Sequence, residues 1–137
     1  MKSITTTMKL LSDTARLRIL MVLAKRELCV CQIMGVLDIS QPLVSRNLAL
    51  LNSAGFLDER KEGKLVFYSL RKDMAPDRRK LFAVLTETLK SDSILKNDLR
   101  SLRACEELQK RTGRCDMKTF SNFLSRKKDK RLQAGGI

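Results

Sequence analysis

The chain has 137 residues, 43% of them hydrophobic but only 4% aromatic, and carries a formal net charge of +13. That length supports one modest aliphatic core, and no run approaches the roughly 18 apolar residues of a membrane span. Positive charge of this size favours an acidic partner, nucleic acid before membrane, while zero histidines and no phosphate-cradling glycine loop argue against an enzyme.

The N-terminus has no signal-peptide apolar stretch, so a cytoplasmic protein is expected, with its four cysteines as thiols and not as a disulfide framework. Residues 2–11 read as a short amphipathic helix with Ile4, Met8, Leu10 and Leu11 as apolar contacts. Ser12-Asp13 marks a capped boundary. Residues 14–25 follow as a helix buried on more than one side, through Ala15, Leu17, Ile19, Leu20, Val22 and Leu23.

Glu27-Leu28-Cys29-Val30-Cys31 places two thiols one residue apart. A third helix is expected over residues 29–37, since Val30, Ile33, Met34 and Leu37 repeat at i, i+3, i+4 and i+7. After a tight connection, Pro42 falls in the first turn of a fourth helix, where a missing N–H is harmless. Leu43, Leu48 and Leu51 are expected to face inward there, and Gln41, Ser45, Arg46 and Asn47 outward. Two short helices joined this way form the helix-turn-helix pattern, whose second helix reads base edges.

Gly55 ends that helix. The runs 56–60 and 65–70 flank Lys61-Glu62-Gly63-Lys64, a basic hairpin that reads as a wing. Arg60, Lys61 and Lys64 are the expected contacts to the DNA backbone. The leucine-rich span 77–112 reads as a C-terminal dimerisation helix, shared with the first helix and interrupted near Ser91-Asp92-Ser93. Residues 113–137 read as a mobile basic tail. The fold class is therefore mainly α with a small β-hairpin, a winged helix-turn-helix core over residues 1–90 that works as a homodimer.

In that third helix Cys29 and Cys31 lie about 200° apart around the axis. Both thiols then grip one soft ion only if the first turn unwinds. Such unwinding would move the DNA-reading helix, so ligand and DNA would oppose each other. The bland alternative is that the two cysteines are small buried hydrophobes.

The register of Glu27-Leu-Cys-Val-Cys31, Ser40-Gln-Pro-Leu-Val-Ser-Arg-Asn-Leu48, Ala54-Gly55 and the Lys61–Tyr68 wing resembles the ArsR (ArsR/SmtB) family of arsenical-responsive repressors. The likeness spans roughly residues 5–90. It implies a homodimer that represses a resistance operon from an inverted-repeat operator, with Cys29 and Cys31 as metal ligands. As(III), arsenite or methylarsenite, would be the inducer, and no other cofactor or membrane partner is implied. Two positions depart from the family pattern: Met34 stands where a third cysteine often lies, and Asn47 where histidine is usual. Cys105 and Cys115 are open as a third ligand. The rival readings are a cadmium-, lead- or zinc-responsive repressor, a thiol redox switch, and a constitutive DNA-binding module without a ligand.

Overall fold

The computed structural model describes residues 1–113; Cys115 and the expected basic tail beyond Gly113 lie outside the described residues. The chain order is α1 (Lys2–Leu11), α2 (Thr14–Leu23), β1 (Leu28–Cys29), α3 (Val30–Leu37) and α4 (Gln41–Ser53), then β2 (Leu57–Glu62), β3 (Leu65–Leu70), α5 (Pro76–Leu89) and α6 (Ser93–Thr112). This is a winged helix-turn-helix: α3 and α4 are the two helices of the motif, and β2–β3 the wing.

Local chemistry sets the boundaries. The Asp13 carboxylate accepts from the Arg16 backbone N–H at 3.0 Å and starts α2. That helix buries Ile19 to Leu23 without a break, as an apolar run on more than one side demands. α3 stops at Asp38, a non-glycine residue in the left-handed region (φ 58°), which aspartate tolerates better than most. α4 ends in a Schellman motif: Gly55 (φ 84°) follows the cap, and the Phe56 N–H returns to the Leu51 carbonyl at 3.1 Å. Phe56 then drops into the core, fully buried.

The wing pairs Glu62 with Leu65 across a two-residue turn, where Gly63 adopts a φ of 60° that this tight hairpin requires. A third strand adds to it. β1 pairs antiparallel with β3, Leu28 opposite Tyr68 and Cys29 opposite Phe67, giving the order β1-β3-β2. Two residues are too few to show a period of two, so nothing in the sequence pattern marked this strand.

The expected long C-terminal helix is two helices. Asp92 caps the second, its carboxylate accepting from the Ile94 and Leu95 N–H groups at 2.9 and 3.1 Å. α5 contributes no buried residue, and its Val84 is 62% exposed. α6 instead packs on α2 and α3 and places Leu102 and Cys105 in the main core. The buried apolar cluster therefore includes side chains of α6. Asp98 explains part of this. It is buried on α6, and Arg18 of α2 grips both its oxygens at 2.8 Å while also donating to the Leu37 carbonyl at the end of α3. One guanidinium thus ties three helices, and its pKa is raised, first by the hydrogen bond to Asp98.

Candidate functional site

The start of α4 is presented to solvent. Ser40 is extended, Pro42 lies in the first turn, and Gln41, Ser45 and Arg46 are exposed. The inward stripe is Val44, Asn47, Leu48 and Leu51, a helical i, i+3, i+4, i+7 set. Asn47 therefore does not point outward as expected. It is 1% exposed and accepts from Arg16 Nη1 at 3.4 Å, while the Arg16 Nε donates to the Leu10 carbonyl at 2.7 Å. Its role is to seat α4 against the α1–α2 corner. Counting the stripe from Val44 instead of Leu43 would have revealed this.

At the wing, Lys61 and Lys64 are exposed near the hairpin tip. Arg60 pairs with Glu27 at 2.7 Å and Glu62 at 2.6 Å, and lies 4.8 Å over the Phe67 ring. The bond to Arg60 holds the Glu27 carboxyl below its ordinary range. Arg60 thus joins the wing to the segment that leads into the thiols, while its side chain stays half exposed.

Cys29 is the N-cap of α3, with extended backbone (φ −91°, ψ 170°), and is 1% exposed. It is not inside the helix, so the angular argument from a helical wheel does not hold for it. The cap is reciprocal: the Gln32 side chain accepts from the Cys29 N–H at 3.0 Å, and the Gln32 backbone N–H is turned to the Cys29 sulfur. Cys31 sits in the first turn, half-buried; burial pushes its thiol pKa up, and Cys29 adds to the shift. Neither is joined in a disulfide among the described residues.

Gln32 is itself buried and donates through Nε2 to Gln109 of α6 at 3.1 Å. Arg26 reaches the same Gln109 oxygen at 3.3 Å and Glu106 at 3.6 Å. A polar clasp therefore holds the N-terminus of α3 against α6, and sequence reasoning missed it because its members are far apart in the chain. Two soft sulfurs beside each other suit a thiophilic ion better than a hard cation. Among the described residues, no three histidine, cysteine or acidic side chains are gathered closely enough to hold a metal.

Comparison with known proteins bears on this arrangement. Residues 13–59, from the cap of α2 into β2, match the model of the bacterial regulatory protein arsR family. The arsenical resistance operon repressor of Escherichia coli (strain K12) is 51% identical over 63 residues, 45% of this chain and 54% of that protein. The chain carries an arsR-family domain.

A cadmium resistance transcriptional regulatory protein CadC homolog of Staphylococcus aureus is 46% identical over 63 residues, 45% of this chain and 52% of that protein. The chain spans about half the length of these curated relatives. Among solved structures, the homodimeric winged helix-turn-helix DNA-binding domain Mb0332 of Mycobacterium bovis superposes with a TM-score of 0.55 at 27% identity, covering 67% of this chain and 82% of that one. The matched span of the arsR-family domain contains the thiols, α3 and α4, but not α6. No described helix is long and apolar enough to cross a membrane.

Proposed function

We propose that this arsR-family protein is a homodimeric repressor that leaves its operator when Cys29 and Cys31 capture trivalent arsenic. One observation carries the reading. Cys29 caps α3, the first helix of the motif, and also pairs with Phe67 of the wing. An ion bound by the Cys29 sulfur competes with the Gln32 backbone N–H for that sulfur and so displaces the cap. That displacement disturbs α3 and the wing together, and α4 follows α3 through a three-residue connection. Ligand and DNA then select different conformations, which is negative coupling.

Gln41, Ser45 and Arg46 are the base-reading side chains in this proposal, and Lys61 and Lys64 hold phosphates on an inverted repeat. Arg46→Ala is expected to weaken operator binding by about 1–3 kcal/mol and to relax one base position. Lys61→Ala is expected to weaken all sequences about equally and to flatten the salt dependence. Anisotropy titrations on operator and scrambled DNA at several salt concentrations separate the two; a sequence-selective loss at Lys61 would contradict its assignment. The dimer is supported by apolar side chains left outside the core, Ile4 and Met8 on α1 and Val84 on α5, and by the homodimeric neighbour.

A cadmium-responsive repressor is the second reading, favoured by the cadmium-resistance relative. Against it, a four-sulfur set is not available among the described residues, whose thiols are Cys29, Cys31 and Cys105. A histidine-containing zinc site is absent from the whole sequence. A gel-shift titration with arsenite, methylarsenite, Cd(II) and Zn(II) tests the choice. Release by the arsenicals at concentrations where Cd(II) and Zn(II) leave the complex intact is expected; release by Cd(II) alone would favour the second reading.

A further inference from the structure

The remaining buried thiol lies outside the family match but beside the site. Cys105 is 2% exposed on α6, the helix that packs across α3. Gln109, one turn along the same face, accepts from Gln32, and Glu106 accepts from Arg26. Gln32 is the residue whose side chain holds the Cys29 N–H. A single Gln32–Gln109 clasp therefore stands between the cap of α3 and the turn that carries Cys105. Cys29 and Cys105 are both buried where α3 packs on α6, at 1% and 2% exposure, and Cys31 is half-buried in the first turn of α3.

We infer that Cys105 is the third sulfur donor of the site, closing on arsenite together with Cys29 and Cys31 of the same protomer. The inference rests on the reading of the thiol pair as an arsenical sensor. Met34, on the next turn of α3, offers a thioether with no proton to exchange and cannot take this part. Burial pushes the Cys105 thiol pKa up to about 11, Arg26 pulls against that, and Cys29 is near enough to add to the rise. Since the sulfurs are not already gathered, closure draws the first turn of α3 and the Cys105 turn of α6 together beside the Gln32–Gln109 bond. The chemistry balances without an oxidant. Arsenous acid exchanges its three hydroxyls for three thiolates, three As–O bonds giving way to three As–S bonds, and each departing hydroxyl takes one thiol proton to leave as water. A methylarsenical has only two hydroxyls to exchange and needs only Cys29 and Cys31.

The test uses the full chain, wild type and with Cys105→Ala or Cys105→Ser, titrated with arsenite and with methylarsenite, and the arsenic–sulfur number read by X-ray absorption. Wild type should show three sulfurs on arsenite. Both variants should show two, with arsenite affinity down by at least about 10-fold, the loss that even outer-shell partners of a metal site cause. Methylarsenite affinity should stay within about twofold, which also reports that the variants fold. Two sulfurs on wild type, or three on either variant, would overturn the role of Cys105. Equal loss of both arsenicals would overturn it too, making Cys105 a packing residue. No arsenite bound by wild type would instead remove the sensor reading underneath.

Discussion

Asp98→Ala is expected to lower the unfolding free energy by about 3 kcal/mol, because it strands the Arg18 guanidinium in a mostly buried position. Asp98 is 1% exposed and both its oxygens are engaged, whereas the Arg18 side chain keeps 22% exposure, which sets the loss at the lower end for a broken buried pair. Replacing both partners, Arg18→Met with Asp98→Leu, should recover most of it, since no unpaired charge remains. Urea denaturation at one fixed protein concentration gives the measurement, as a fall in midpoint with the slope unchanged. A loss below about 1 kcal/mol for Asp98→Ala would mean that water reaches the pair and that α6 is not clamped to α2 and α3 as drawn. Arg18 also holds the Leu37 carbonyl, so the single variant should loosen the C-terminal end of α3, visible as faster amide exchange there.

Cys29→Ser with Cys31→Ser should abolish release by arsenicals while leaving DNA affinity within about twofold. Serine is a favoured helix N-cap, so the hydroxyl at position 29 takes over the cap of α3 and the fold is kept. Hydroxyls do not replace thiolates toward a soft ion. To turn a population from 99:1 bound to 1:99, the ligand must prefer the released conformation by about 5.5 kcal/mol, and two sulfurs are the only described source at the cap. Anisotropy of the preformed DNA complex, followed as arsenite is added, reads the outcome. Release that persists in the double variant would move the sensing site elsewhere on the chain and sink the coupling through the Cys29 cap.

Much of the helix-turn-helix and its wing was legible in the sequence. The Ser40–Leu48 run, Pro42 in a first turn, Gly55 past a helix end and a glycine-centred basic hairpin are local signals, each with its own stereochemical cause. They led to the right helices, the wing, and the exposure of Gln41, Ser45 and Arg46. Errors came where a residue serves a distant partner. Asn47 looked outward-facing but is buried and turned to Arg16; Cys29 looked helical but is a strand residue and a cap.

The sequence by itself determined the helices and the wing hairpin, the fold class, the strong positive charge and the two thiols one residue apart, because those follow from spacing along the chain and from side-chain chemistry. The tertiary structure decided which of those side chains are free to act. β1 exists only because β3 lies beside it, and the α3–α6 clasp only because Gln32 and Gln109 meet across 77 residues of chain. Burial and hydrogen bonding between remote segments depend on how the helices pack, and no local periodicity encodes which polar group will find which.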